Sequence, residues 1–151
     1  MTKISEKMQV NVIAKNKRAW YDYHILETWS AGIKLEGIEV KAIRQGNISL
    51  NESCWVRIKD NVVTLVNCSV TPSKLPAWQK YEPRRDRVLL LKKAQIRKIR
   101  AAVLKGLTVV PLKIYFNDRG LAKLEIATAK GKKSHDKRRA NQERDSKRYG
   151  Y

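Results

Sequence analysis

The sequence predicts a mainly β protein: a small antiparallel β-barrel resembling an oligonucleotide-binding (OB) barrel, with flanking short α-helices and a disordered basic C-terminal tail. Three observations carry this prediction. Several short segments alternate apolar and polar residues and are separated by turn residues, as in antiparallel strands. Two other segments show helical spacing of apolar residues. Residues 130–151 carry few apolar side chains, too few to offset the entropy of ordering the chain.

The clearest hairpin lies near the end of the barrel sequence. Alternation in Thr108–Phe116 places four apolar residues on one face, namely Val110, Leu112, Ile114 and Phe116. Pro111 inside this strand indicates a sheet edge or a barrel corner. The turn-rich residues 117–120 lead into a second strand over residues 121–129, so the two strands are predicted to pair as a hairpin.

Two more strand pairs are predicted upstream. Residues 55–58 and 62–70 form a hairpin around Asp60 and Asn61, and residues 21–30 pair with residues 33–35 through a turn at Ala31 and Gly32. About 110 residues with several short strands and an inserted helix match the size of an OB barrel.

Two helices are predicted, over residues 38–44 and 92–105. Gly46 and Gly106 follow them as C-terminal stops.

The 151-residue chain is the size of one domain. We expect a flexible N-terminus over residues 1–14, the barrel over residues 15–129, and a tail over residues 130–151. The tail is expected to be disordered when free and helical on an RNA surface.

The charge is strongly positive and unevenly placed. The chain has 33 Lys and Arg against 14 Asp and Glu, a formal net charge of +19. Residues 84–105 hold nine basic residues and one acid, and residues 130–151 hold nine basic residues and three acids. This pattern is typical of a polyanion-binding surface with an interaction tail, because clustered cations attract phosphates and release counterions. A solubilising tail without further function is the simpler alternative.

Catalytic and metal-binding motifs are absent from the sequence. There is no P-loop, G-x-S-x-G or H-E-x-x-H, and Cys54 and Cys68 lack zinc-site spacing, so both are predicted to be buried, reduced thiols. We therefore predict a non-enzyme with no catalytic residue, no metal and no cofactor. No apolar run is long enough to span a membrane and no secretory signal is visible, so we expect a monomeric cytoplasmic protein without membrane contact.

Ordered motifs over most of the chain resemble the SmpB family, the tmRNA-binding proteins of trans-translation. The strings are N-K-R-A at residues 16–19, Y-D-Y at 21–23, A-G-I at 31–33, G-I-E-V-K-A-I-R at 37–44, the arginines and leucine triplet at 85–91, V-V-P-L at 109–112, and A-K-G-K-K-S-H-D-K-R at 129–138. In that family the resemblance implies an OB-type barrel that binds the tRNA-like domain of tmRNA. It also implies a tail that enters the decoding centre and mRNA channel of a stalled ribosome and contacts small-subunit rRNA. Elongation factor Tu is a further expected partner through tmRNA.

The resemblance assigns site residues position by position. The expected tmRNA-binding residues are Asn16, Lys17, Arg18, Glu39, Lys41, Arg44, Arg85, Arg87, Leu91 and Lys93. The expected ribosome-binding set is Tyr21, Lys130, Gly131, Lys132, Lys133, His135, Asp136, Lys137, Arg138 and Arg139. The chain departs from the family where Ser30 replaces a usual acid and Val88 replaces a common Lys.

Two other hypotheses stay open on the sequence. One is a structural ribosomal protein that remains in the subunit, since such proteins share this composition. The other is a nuclease built from Asp22, Glu39 and Glu125, which no motif favours.

Overall fold

The computed structural model describes residues 11–132, and strands dominate this part of the chain. The mainly β prediction is therefore confirmed. In chain order the elements are β1 Asn11–Lys15, α1 Lys17–Asp22, β2 Tyr23–Ile33, α2 Gly37–Arg44, β3 Ile48–Ser49, β4 Trp55–Lys59, β5 Val62–Val66, β6 Ser69–Val70, β7 Arg87–Leu90, α3 Lys93–Leu104, β8 Thr108–Phe116 and β9 Ala122–Gly131.

Seven strands form one antiparallel sheet in the order β1-β8-β9-β2-β7-β5-β4, while β3 and β6 form a separate two-stranded pair. The sheet curls until Cα atoms of β4 come within 8 Å of β8. β8, however, already pairs with β1 and β9, and no ladder joins the two end strands within residues 11–132. The architecture is thus OB-like in curvature, but the predicted barrel is not closed by hydrogen bonds.

The β4–β5 hairpin turns where the sequence predicts it. Asp60 and Asn61 have φ values of 51° and 63°. Two consecutive positive φ values define the two-residue turn whose twist suits a hairpin, and Asp and Asn tolerate that conformation better than most side chains. The second strand ends at Val66 rather than at residue 70, because Asn67 also has a positive φ and redirects the chain into β6.

The β8–β9 hairpin is also confirmed, but its first strand does not keep one apolar face. The register shifts between Pro111 and Lys113, which leaves Leu112 as an extra residue in the ladder. Such a bulge changes the direction of the side chains that follow it. Val110 and Leu112 therefore pack with Ala19 of α1, whereas Ile114 belongs to the main core.

The predicted turn at Ala31 and Gly32 is wrong. Both residues lie inside β2, opposite Leu124 and Lys123 of β9. A Cβ added at Gly32 would stand 3.3 Å from the Cβ of Leu90 in the neighbouring β7. The glycine thus serves the close approach of two strands rather than a turn.

Both predicted helices form and end as expected. The Glu36 N–H donates to Glu39 Oε1 at 2.9 Å, which caps the N-terminus of α2. Gly46 and Gly106 have φ values of 81° and 94°, and their N–H groups bond back to the last turns of α2 and α3. Glycine adopts this left-handed conformation without steric cost, so it terminates the helix.

One main core lies inside the curled sheet. Its fully buried members include Ala31, Ile43, Ile99, Ile114 and Ile126, so α2 and α3 both pack against it. A smaller cluster packs α1 on β8 and β9 through Ala19, Val110, Leu112, Ala127 and Ala129. Burial of this cluster explains why the six residues of α1 form a helix that periodicity alone does not reveal.

Both predicted domain boundaries shift. The flexible segment expected over residues 1–14 is wrong for residues 11–14, which belong to β1 and pair with β8. The tail expected from residue 130 is wrong for Lys130 and Gly131, which pair with His24 and Tyr23 of β2. At the N-terminal boundary, pairing with β8 is accompanied by packing of Ile13 and Ala14 against the main core. At the C-terminal boundary, backbone pairing with β2 orders Lys130 and Gly131, which bring little apolar surface. Residues 1–10 and 133–151 lie outside the described residues.

Candidate nucleic-acid interface

The predicted RNA-contacting cations lie at opposite ends of the β8–β9 hairpin. Arg44 of α2 donates to the Gly120 carbonyl at the hairpin turn, whereas Lys132, just past β9, contacts α1. The ten-residue β9 between them spans roughly 30 Å at about 3.3 Å per residue. The structure therefore divides the expected surface into two regions, called here the α1 end and the α2 end.

At the α1 end, Lys17 and Arg18 are exposed. The Arg18 guanidinium lies 4.6 Å from the centre of the Tyr21 ring, and its Nε donates to Asp22 Oδ2 at 3.2 Å. The planar cation is thereby held over an aromatic ring while most of it faces solvent. The arrangement presents cations beside a ring, which suits a phosphate and its neighbouring base.

The first residues of the predicted tail are attached to this same end. The Lys132 N–H donates to the Asp22 carbonyl at 2.9 Å, and its Nζ donates to the Trp20 carbonyl at 3.1 Å. Lys130 and Gly131 precede it in β9, with both residues exposed. The last described residue, Lys132, therefore lies against α1.

Asn16, expected to bind tmRNA, directs its amide nitrogen into the protein. The residue is 3 % exposed, its Nδ2 donates to the Pro111 carbonyl at 2.9 Å, and its N–H donates to the Leu112 carbonyl at 2.7 Å. These bonds satisfy two carbonyls at the β8 bulge and attach the start of α1 to the sheet. Asn16 is thus a positioning residue for the exposed cations that follow it.

At the α2 end, Lys41 and Arg44 are exposed. The Arg44 guanidinium lies 4.5 Å from the centre of the Phe116 ring and donates to the Gly120 carbonyl at 3.1 Å. Arg44 therefore joins α2 to the hairpin turn and presents its remaining donors to solvent. An open groove of about 350 Å³ adjoins Lys41 and is lined by α2 and by the loop over residues 72–79.

Arg87, predicted as an RNA contact, is buried in the protein. Only 1 % of it is exposed, and its guanidinium is surrounded by acceptors. Nε donates to Glu39 Oε2 at 2.8 Å, Nη1 donates to the carbonyls of Cys68 and Arg85, and Nη2 donates to Tyr81 Oη and the Pro83 carbonyl. All five N–H groups thus have a protein acceptor, and none remains for a phosphate.

Glu39, also predicted as a tmRNA-binding residue, is likewise fully buried. Besides Arg87, it accepts hydrogen bonds from the Arg85 guanidinium and lies 3.1 Å from Tyr81 Oη. Burial raises the pKa of Glu39, but the bonds from Arg85, the Glu36 N–H and Arg87 outweigh it and lower the pKa to about 2. The carboxylate stays charged and ties α2 to residues 81–87, with Arg85 reaching the surface at 30 % exposure.

The low pKa of Glu39 predicts acid sensitivity. Because the folded-state pKa lies below the ordinary value of 4.5, the stabilisation is complete above pH 4.5 and is lost as pH falls toward 2. We expect the side-chain carboxyl ¹³C signal of Glu39 to titrate near pH 2, with the free energy of unfolding falling below pH 4.5. A titration midpoint near 4.5 in the folded protein would contradict the buried ion pair.

The remaining predicted contacts differ in exposure. Lys93 is exposed at the start of α3, while Leu91 is half-buried and packs against the main core. Lys133, His135, Asp136, Lys137, Arg138 and Arg139 lie outside the described residues. The described part of the site is therefore a set of exposed cations held in place by buried polar residues.

Two aromatic residues that the sequence did not predict as site residues lie next to predicted ones. Trp20 is 55 % exposed beside Lys132, and Tyr81 completes the buried network. Trp78, in the loop over residues 72–79, is 82 % exposed. The sequence signal for Trp20 is weak, because its exposure depends on which face of the short α1 packs on the sheet.

The two cysteines of the described residues lie within hydrogen-bonding reach of each other. Cys54 and Cys68 are free and buried, as predicted. The Cys68 thiol, by hydrogen bonding, lowers the pKa of Cys54 to about 7 against the opposing effect of burial, and the same contact raises the pKa of Cys68. Across residues 11–132 no three potential ligands gather to hold a metal, and no helix is long and apolar enough to cross a membrane.

A small β fold with exposed cations at two ends, one of them supported by the buried ion pairs of Glu39, is typical of the polyanion-binding class of proteins. The family model described as SmpB protein matches residues 13–150. The chain belongs to the SmpB family.

Relatives and a solved structure agree with this assignment. The chain is 47% identical over 143 residues to the SsrA-binding protein of Rhizobium etli strain CIAT 652, covering 93% of this chain and 89% of the relative. It is 49% identical over 145 residues to the SsrA-binding protein of Azorhizobium caulinodans, covering 95% and 89%. A chain in the structure described as "tmRNA-SmpB: a journey to the center of the bacterial ribosome" has a TM-score of 0.67 and 44% identity, covering 83% of this chain and 87% of that one.

Proposed function

We propose that this protein is an RNA-binding adaptor of trans-translation that binds the tRNA-like domain of tmRNA and acts with it at stalled ribosomes. The observation that carries the proposal is a structural match over 83% of this chain. The matched chain belongs to a structure whose description names tmRNA, SmpB and the bacterial ribosome. The named relatives support it, since they are SsrA-binding proteins. The exposed cations of both ends supply the phosphate-binding chemistry that the proposal needs.

The two ends have separate roles in this proposal. Lys41, Arg44 and the exposed part of Arg85 contact phosphates of the tRNA-like domain at the α2 end, and Lys93 and Leu91 extend that surface. Lys17 and Arg18 contact RNA at the α1 end, next to the start of the tail. Glu39, Arg87 and Asn16 act by holding these cations in position. Recognition of a folded RNA by shape and phosphate contacts requires no base-specific contact from each of these residues.

The tail is proposed to act at the ribosome. Lys130, Gly131 and Lys132 fix its starting point beside Tyr21, and the predicted ribosome-binding residues from Lys133 to Arg139 follow in sequence. Cations spaced along such a segment suit the phosphates of small-subunit rRNA around an empty mRNA channel.

The salt dependence of tmRNA binding tests the α2 end. Lys41→Ala removes one exposed cation, so the affinity for the isolated tRNA-like domain is expected to fall and the slope of log K against log[salt] to become shallower by about one. Filter binding at several salt concentrations measures both quantities.

Lys59→Ala is the matched control, because Lys59 is also an exposed lysine but lies at the β4–β5 turn. Equal effects of the two substitutions would contradict a defined surface at the α2 end. A protein that survives high-salt washing as a stoichiometric component of ribosomal subunits would contradict the adaptor function itself.

A further inference from the structure

An open pocket lies where α1 meets the sheet, and we call it the Trp20 pocket. Its volume is about 250 Å³, and its lining residues are Lys15, Trp20, Leu112, Lys113 and Glu125. The pocket combines one exposed ring, two cations and one carboxylate. None of Lys15, Trp20, Lys113 or Glu125 belongs to the RNA-contacting residues expected from the sequence.

We propose that the Trp20 pocket binds a single unpaired guanine nucleotide of an RNA, an inference that rests on the proposed RNA-binding function. Each component of a nucleotide meets a suitable group. The base stacks on the Trp20 indole, its N1–H and N2–H donors face the Glu125 carboxylate, and a flanking phosphate meets Lys15 and Lys113.

The sheet places the polar residues of the pocket side by side. Lys15 of β1 pairs with Lys113 of β8, which in turn pairs with Glu125 of β9. Lys113 Nζ lies 3.2 Å from Glu125 Oε2, so the carboxylate is held by one oxygen. A carboxylate has about four acceptor positions, which leaves Glu125 able to accept two further N–H donors.

The backbone that carries Trp20 is anchored at the edge of the pocket. Lys132 Nζ donates to the Trp20 carbonyl at 3.1 Å, and Asn16 attaches the start of α1 to the carbonyls of Pro111 and Leu112. The bulge at Leu112 brings that residue into the pocket wall beside Lys113. Because the backbone that carries Trp20 is anchored at both ends, stacking on the ring requires little further ordering of α1.

The charge and size of the pocket favour guanine over other occupants. A carboxylate repels a free phosphate, so the pocket is poorly suited to an inorganic anion despite its two lysines. The Glu125 carboxylate also disfavours uracil, because the Watson–Crick edge of uracil presents mainly acceptors, which a carboxylate repels. A volume of about 250 Å³ is below the range of about 300–1,000 Å³ usual for drug-sized ligands, so one base fits better than a stack.

Titration of the full-length protein with nucleoside monophosphates tests the pocket. The chain has four Trp, so a ¹⁵N spectrum shows four indole N–H signals, and Trp20→Phe identifies the Trp20 signal. We expect GMP to shift the Trp20 signal at concentrations at least about tenfold lower than UMP. Glu125→Gln is expected to remove this preference. The highly exposed Trp78 supplies the control signal, which should move equally little with either nucleotide.

The proposal is overturned if no nucleotide shifts the Trp20 signal, if Trp20 and Trp78 respond alike, or if Glu125→Gln keeps the preference for GMP. These outcomes are independent of tmRNA. Failure of the unmodified protein to bind the tRNA-like domain would instead contradict the proposed function and leave a GMP-specific shift standing.

Two binding assays then identify the source of the guanine. Trp20→Ala is expected to lose about tenfold in affinity for either the isolated tRNA-like domain or the small ribosomal subunit, whereas Trp20→Phe keeps most of it because the ring remains. A loss for the first RNA assigns the nucleotide to tmRNA, and a loss for the second assigns it to rRNA. Unchanged affinity in both assays would overturn the proposal.

Discussion

Glu39→Gln is expected to lower the free energy of unfolding by about 3–5 kcal/mol, the range for breaking a buried ion pair. Glu39 is fully buried and Arg87 is 1 % exposed, so the substitution leaves a guanidinium in the interior without its counter-ion. Arginine cannot escape this cost by losing its proton. Urea denaturation at pH 7 measures the change, which is a large share of the stability of an ordinary domain.

Asp86→Asn is the matched control for this prediction. It makes the same acid-to-amide change in an ion pair whose partners, Arg57 and Asp86, are 41% and 50% exposed. Exposed pairs contribute roughly 0–1 kcal/mol, so the control should unfold at nearly the same urea concentration as the unmodified protein.

Adding Arg87→Met to Glu39→Gln should recover part of the lost free energy of unfolding, since it removes the unpaired charge. A small effect of Glu39→Gln, equal to that of Asp86→Asn, would contradict the proposed tie between α2 and residues 81–87.

Deleting residues 133–151 is expected to abolish tagging of stalled chains while preserving tmRNA binding. The deleted segment contains seven Lys and Arg and three Asp and Glu, but none of the exposed cations of the α2 end. We expect the affinity for the tRNA-like domain to stay within about tenfold, or 1.4 kcal/mol, of the full-length value. Tagging in a reconstituted translation reaction should fall to the level seen without the protein.

The end point of the deletion matters because β9 continues to Gly131. Stopping after Lys130 also removes the Lys132 contacts to Asp22 and Trp20 and the last pair of β9 with β2. The variant ending at Lys130 should therefore lose stability as well as tagging. Comparing it with the variant ending at Lys132 separates the effect of the tail from the effect of a destabilised sheet. Loss of tmRNA binding by the variant ending at Lys132, with normal unfolding behaviour, would contradict the separation between body and tail.

Turn chemistry and helix ends were predictable because their causes are local. Asp60, Asn61, Gly46 and Gly106 adopt positive φ values where the residue type permits them, and α2 and α3 begin and end within a residue or so of the predicted limits. The turn assigned to Ala31 and Gly32 was wrong for the complementary reason. A glycine that admits a neighbouring strand has the same local sequence signature as a glycine that turns the chain.

The site was predictable in part. Lys17, Arg18, Lys41 and Arg44 are exposed, and the structure separates them into two ends. Arg87, in the same motif set, has the opposite environment. Its burial depends on acceptors from distant segments, and a sequence position does not reveal which arginine meets them.

By itself, the sequence determined the mainly β class, the two longer helices, the basic character and, through its motifs, the SmpB family. These follow from adjacent residues: alternation, glycine stops and runs of charge. Only the tertiary structure decided that Glu39 and Arg87, which are 48 residues apart, form a buried pair, and that the bulge at Leu112 divides β8 between two clusters. Both depend on which strands become neighbours, because desolvation and hydrogen-bond geometry are properties of the assembled sheet rather than of any one segment.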